Sequence, residues 1–283
     1  SFPRDLWVKI AGSTRSNRIN TAFERKNPNT LADTIYQNFG ITIDHYVNID
    51  FCAFKEIVDA IGGVRVPFAS PVRDKKTNLL IQTAGCHTFG GEEGLAYVRS
   101  RHFYYYKANT KTWSEDPAAD RGRISRQQDF LRRAIQKALD KSVGNPRIAK
   151  NLVDAGLQYV ITDSGLTVGK ILDIATGMKN LDPSTMQTYQ IEGKGTKIAG
   201  QSVIEPALNG ENMKAVLAVF QGRARLVDAP DQIFAPTTTK PPATTAPSNT
   251  QTTVKPAVTT TLPPVYVESN DVGVLPPDDP SCR

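Results

Sequence analysis

The chain has 283 residues, enough for one large domain or two small ones. Lys and Arg number 34 against 28 Asp and Glu, a formal net charge of +6, and apolar residues make up 39%. That apolar share excludes disorder throughout, three scattered cysteines exclude a disulfide-dense scaffold or a zinc-finger array, and no window approaches the ~18 uninterrupted apolar residues of a membrane-spanning helix.

The chain opens SFPRDLWV, with no Met, no signal peptide and no basic n-region. It reads as starting inside a structural unit, so an upstream anchor segment is expected. Leu31, Ile35 and Phe39 recur four apart and predict a helix over 29–39, stopped by Gly40. Residues 43–49 alternate as a strand, with His45 on the apolar face. Phe54, Ile57, Val58 and Ile61 return to helical spacing, ended by Gly62-Gly63. A short strand is expected over 64–68 and mostly loop over 69–94, where His87 falls. Residues 95–101 read as a strand or a helix end.

Ile124, Phe130, Leu131, Ile135 and Leu139 mark a long amphipathic helix over 123–141. Helices near 146–159, 165–179 and 209–221 and a strand near 186–191 complete the body. Interleaved helices and strands give an α/β class, a central mixed β-sheet flanked by helices, in one domain over 1–235. Residues 236–264 hold eleven Thr and seven Pro. Such a stretch buries too little apolar surface to offset its ordering entropy, so 236–283 is expected as a disordered tail.

The candidate chemistry lies in the arginines. Arg99 and Arg101 sit two apart and share a face if the segment is extended. Arg123, Arg126 and Gln127 sit at i, i+3 and i+4 and share a helix face. Rigid guanidinium forks of this kind suit phosphate oxygens, against the alternative of a solvated basic face. Asp120, just before the helix, is an N-cap or an orienting carboxylate. Arg4-Asp5 is either a surface ion pair or a carboxylate for Mg²⁺ beside a cation for phosphate. Arg18 with Asn20 forms a similar cation and amide pair, or a plain loop. His102 follows Arg101 and is a weak candidate for phosphate contact. Tyr104-Tyr105-Tyr106 and Trp113 form either a lipid- or sugar-facing loop or a packed one. Cys86 has Cys52 or Cys282 as its partner, and the spacing does not choose. The modest charge without a basic run or recognition motif argues against nucleic acid.

In order, these segments resemble the LytR-CpsA-Psr family of cell-wall phosphotransferases over roughly residues 1–141. SFPRDLWV is similar to that family's Ser-Ile-Pro-Arg-Asp segment, and RINTAF to its Lys-Ile-Asn-X-Ala-Phe/Tyr segment. DHYVNIDFCAFKEIVDAIGGVRV resembles its strand–helix–strand unit. GGEEGLAYVRSRH and DRGRISRQQDFLRRAI resemble its two arginine motifs. The likeness is looser over 142–235, and the tail shows none.

The resemblance implies transfer of an anionic or complex glycopolymer from a polyprenyl-pyrophosphate carrier to peptidoglycan. It implies Mg²⁺ (or Mn²⁺) as cofactor, and a site at the extracytoplasmic face of the cell membrane behind an N-terminal anchor helix. Asp5 is then the metal ligand with Arg4 beside it. Arg18, Arg99, Arg101, Arg123, Arg126 and Gln127 form a pyrophosphate clamp oriented by Asp120. Arg4, Asp5, Arg123 and Arg126 are the expected catalytic group. The family's earlier strand, with an Arg-Ser-Asp-Thr type segment, would lie before Ser1. A pyrophosphatase or a non-catalytic wall-polymer binder are the alternatives. Nothing in the residues distinguishes teichoic acid, arabinogalactan or capsule as the polymer.

Overall fold

The computed structural model describes residues 1–24, 27–142, 160–178, 186–227 and 262–282. The expected helix near 146–159 and the Thr/Pro stretch up to residue 261 lie outside them. The chain divides into two compact units, one of Ser1–Leu208 with Ser269–Arg283 and one of Asn209–Glu268. The class is mixed α/β, as the interleaved patterns predict.

In the first unit, β1 (Trp7–Lys9) pairs antiparallel with β2 (Ser16–Arg18). Helix α1 (Asn29–Phe39) forms at its predicted bounds because its stripe buries Ile35 and Phe39, and Gly40 closes it in the left-handed region. The predicted strand over 43–49 shrinks to β3 (Val47–Asn48), paired with β10 (Ile161–Thr162). His45 precedes that ladder and is no core residue: its ring lies 3.3 Å from the Asp163 carboxylate. Asp50 caps α2 (Phe51–Ala60) by accepting from the Ala53 N–H.

Residues 69–94 hold more structure than their sequence suggests. β4 (Val64–Phe68) pairs antiparallel with β7 (Gly85–Phe89), which places Val66 opposite His87. His87 is thus in a strand, 2.8 Å from Glu93. β5 (Val72–Asp74) and β6 (Leu79–Ile81) join β8 (Tyr104–Lys107) and β9 (Thr112–Glu115) in a four-stranded sheet ordered β6-β5-β8-β9. The three-residue β5 and β6 are too short to display alternation in a sequence window, and their burial comes from the sheet. The aromatic run packs within that sheet: Tyr106 meets Trp113 edge-on at 5.5 Å, and Arg73 lies over Trp113 at 4.1 Å.

The expected strand or helix end at 95–101 is helix α3 (Gly91–Arg99). It crosses α2 so closely that a Cβ on Gly91 would stand 2.4 Å from the Lys55 carbonyl oxygen, which only glycine avoids. Helix α4 (Ala119–Ser142) runs past both. The aromatic core between them includes Phe89 stacked on Tyr97 at 5.0 Å, with Phe68, Phe103 and Phe130 around the pair. Helix α5 spans Val168–Met178. Residues 186–191 make no ladder; the neighbouring hairpin is β11 (Gly193–Ile198) with β12 (Gln201–Pro206), and Leu6 bridges to Ile204 beside it.

The composition predicts a tail over 236–283, but its described part is tied down. Within the first unit, Cys86 is disulfide-bonded to Cys282, leaving Cys52 exposed and free. Asn270 bonds both backbone groups of Gln190, and the Val272 N–H donates to Ser125 Oγ at 3.0 Å. The second unit contains α6 (Glu211–Phe220), which buries Met213, Val216 and Leu217, and a parallel pair of β13 (Arg225–Leu226) with β14 (Pro264–Val265).

Candidate functional site

The site is assembled where the end of α3 meets the start of α4. Arg99 and Arg101 do not share a face as an extended segment would require. Arg99 closes α3 and its guanidinium lies 4.5 Å above the Phe51 ring. Ser100 is the extended C-cap that turns the chain, and Arg101 beyond it reaches Asp120, Nε to Oδ1, at 2.9 Å.

The α4 residues do share a face, and it is turned towards α3. Asp120 is not the residue before the helix but lies in its first turn, where a carboxylate is also favoured by the helix dipole. Its Oδ1 pairs with Arg123 Nη2 at 2.9 Å as well as with Arg101, so one carboxylate bridges two guanidiniums. Gln127 Nε2 donates to the Val98 carbonyl at 2.8 Å, satisfying an otherwise open α3 terminus.

Arg126 is placed differently from the clamp expectation. Its side chain has no exposed surface. Nη1 donates to Asp116 Oδ2 at 2.6 Å, Nη2 to the Ser100 carbonyl at 3.0 Å, and the guanidinium lies 4.2 Å over Phe103. Asp116, equally buried, was not singled out by its sequence. Its neighbours Gly122 and Gly273 carry the signal: a Cβ on either would stand 2.4 Å and 2.7 Å from Asp116 Oδ2. The carboxylate also accepts from the Ala118 and Val274 N–H groups.

At the N-terminal end, Asp5 Oδ1 lies 3.4 Å from Arg4 Nε and 3.7 Å from Arg18 Nε. Arg18 Nη2 also donates to the Ser202 carbonyl at 3.0 Å. Ser1 Oγ accepts from Gln128, which ties this end of the chain to α4. His102, a weak phosphate candidate, pairs instead with Glu115 at 2.8 Å.

The electrostatics favour an anion. Burial lowers the pKa of Arg123, Arg101, Arg4 and Arg126 push it the same way, and Asp120 opposes them. Arg123 Nε is buried without a hydrogen-bond partner among the described residues. Four guanidiniums, of Arg4, Arg18, Arg101 and Arg123, thus face two carboxylates, Asp5 and Asp120. A bound phosphate would satisfy that excess and the open donor together.

For a divalent cation, Asp5 is the carboxylate at hand. No group of three His, Cys, Asp or Glu side chains is gathered around one point among the described residues. Mg²⁺ keeps several waters and commonly takes one or two carboxylates plus substrate phosphate. Asp5, which here pairs with Arg4 and Arg18, would serve as a single protein ligand to an ion held mainly by phosphate and water.

A profile of the LytR_cpsA_psr family matches residues 1–218. The chain belongs to the LytR-CpsA-Psr family. Over 216 residues it is 29% identical to "Biofilm regulatory protein A" of Streptococcus mutans, covering 71% of this chain and 48% of that protein. It is 29% identical over 204 residues to "Cell wall biosynthesis protein LcpA" of Corynebacterium glutamicum, covering 70% and 36%. It is 26% identical over 204 residues to the "Polyisoprenyl-teichoic acid--peptidoglycan teichoic acid transferase TagU" of Bacillus licheniformis, covering 71% and 59%. The chain therefore spans less than two thirds of the length of each of these curated relatives. In fold it is similar to the LytR-Csp2A-Psr enzyme from Actinomyces oris, with a TM-score of 0.61 at 24% identity over 78% of each chain. It is also similar to TagT bound to LI-WTA, with a TM-score of 0.57 at 23% identity, covering 78% of this chain and 76% of that one.

Proposed function

We propose that this family member transfers a glycopolymer from a polyprenyl-pyrophosphate carrier to peptidoglycan, forming a phosphodiester link in cell-wall assembly. The observation that carries the reading is the convergence of Arg101 and Arg123 on Asp120, with Arg4 close enough to perturb Arg123. Relatives named as teichoic acid transferases support the substrate class.

In this reading Arg4, Arg18, Arg101 and Arg123 hold the two phosphates, and Asp120 sets the angle between Arg101 and Arg123; Arg99, turned to Phe51, and Gln127, bonded to the Val98 carbonyl, border the site. Arg126 acts from below, as a support for the clamp. A sugar hydroxyl of peptidoglycan attacks the phosphorus that carries the polymer and gives up its proton to solvent. The bond to the bridging oxygen breaks, and polyprenyl phosphate leaves with the electron pair. Charge builds on the leaving oxygens, where the guanidiniums stand ready without reorganising. Mg²⁺ or Mn²⁺, held by Asp5 and the substrate phosphates, would supply charge neutralisation and polarise the phosphoryl oxygens. The proposed location is the extracytoplasmic face of the cell membrane, with the lipid surface as a partner. No helix among the described residues is long and apolar enough to cross a membrane.

The test is incubation with a labelled lipid-linked polymer, peptidoglycan and Mg²⁺. Label covalently joined to peptidoglycan is the expected result. Label released into solution as polymer phosphate would show a pyrophosphatase instead, and bound but unreacted label a wall-polymer binder.

A further inference from the structure

Ser100, between the two clamp arginines, has no exposed surface, and each of its polar groups is held. Its N–H donates to the Tyr97 carbonyl at 3.1 Å. Its hydroxyl donates to Asp74 Oδ2 at 2.7 Å. Its carbonyl accepts from Arg126 Nη2 at 3.0 Å. Asp74 is itself fully buried. The same Oδ2 accepts from the His102 N–H at 3.0 Å, and Oδ1 accepts from the Lys76 N–H at 2.8 Å. Asp74 therefore grips the chain on both sides of Arg101, at Ser100 and at His102. On the far side Arg126 is anchored by Asp116.

This chain of buried groups runs Asp74, Ser100, Arg126, Asp116, and Arg101 springs from its middle. A buried carboxylate is costly unless fully bonded, and a nonpolar side chain would fill β5 more cheaply. Its bonds fall on the two residues flanking Arg101, which is what a device for aiming that guanidinium requires.

We propose that Asp74 is a positioning residue for the pyrophosphate clamp, acting through Ser100 on Arg101. It rests on the reading of Arg101 as a clamp residue. Held at both flanks, Arg101 meets the phosphate already oriented, and less affinity is lost to ordering the segment on binding.

The experiment is a double-mutant cycle on the full chain, with farnesyl pyrophosphate and Mg²⁺ as the probe and calorimetric affinity as the readout. Arg101→Ala is expected to weaken binding at least about tenfold, as loss of a charged hydrogen-bond donor does. Ser100→Ala removes the hydroxyl but leaves the other bonds of Asp74, and a weakening of about fivefold to tenfold is expected. Asp74→Asn should weaken binding as much or more. In an Arg101→Ala background, Ser100→Ala should have no further effect, because its influence passes through Arg101. Near-ultraviolet circular dichroism should show Ser100→Ala folded as the parent is. An unchanged affinity for Arg101→Ala overturns the clamp reading and the positioning role with it. A normal loss for Arg101→Ala with none for Ser100→Ala, or losses that simply add, overturns the positioning role alone.

Discussion

Arg126 Nη1 stands 2.6 Å from Asp116 Oδ2, and neither side chain has any exposed surface. Removing one member of such a buried pair leaves an uncompensated charge and costs about 3–5 kcal/mol. Arg126→Met and Asp116→Ala should each lower the free energy of unfolding by that much in urea titrations. An Arg126→Met protein as stable as the parent would show that the pair supports nothing.

Arg123→Ala should behave in the opposite way. Among the described residues its one ion pair is an i, i+3 contact with a carboxylate that keeps a third of its surface in solvent, so stability should change by less than about 1 kcal/mol. The rate of polymer transfer should fall by about 10²–10³-fold, as for loss of one charge-stabilising donor. The two measurements together separate clamp from support.

The Cys86–Cys282 bond closes a loop across 196 positions of sequence. Reduction, or Cys282→Ser, should cost up to about 5 kcal/mol by the loop-entropy relation and lower the melting temperature. Alkylation of the native oxidised protein should label Cys52 alone, read by peptide mass spectrometry.

Gly273 has φ +90, and its Cβ position is occupied by Asp116 Oδ2 at 2.7 Å and Gly122 Cα at 2.9 Å. Gly273→Ala should therefore destabilise by at least the ~1–3 kcal/mol of a strained backbone site. A thermal denaturation midpoint equal to the parent's would contradict that geometry.

Asp163 is held below its ordinary value of 3.8, first by the Tyr46 N–H, and then by His45 and the Gly165 N–H. A depressed carboxylate contributes stability that is present above its unfolded value and lost as pH falls through the folded one. The gap in melting temperature between the parent and Asp163→Asn should be open at about pH 5 and close as the pH falls below 3.8. A gap that widens as the pH falls from 3.8 would reverse the sign.

Helix α1 was legible to the residue because its stripe, its stop at Gly40 and its burial all agree. The proposed clamp residues stand out in the sequence because their motifs are local, Arg123 with Gln127 on one helix turn, but the two-residue spacing of Arg99 and Arg101 misled: the chain turns at Ser100 and sends them apart. The strands β5 to β7 were not legible, since three to five residues carry too little periodicity to stand out from a loop. Neither Asp74 nor Asp116 is singled out by its sequence, because the groups that bury them, Ser100 and the His102 and Val274 N–H groups among them, come from other segments of the chain.

By itself the sequence determined the class, the helices with long apolar stripes and the identity of the cations. Those follow from interactions within a few residues, which a linear pattern records. Only the tertiary structure decided that Cys86 meets Cys282 and not Cys52, that Arg101 and Arg99 diverge, and that Arg126 turns inward to Asp116 while Arg123 stays at the site. All of these depend on which groups lose water, and burial is set by segments far apart in the chain.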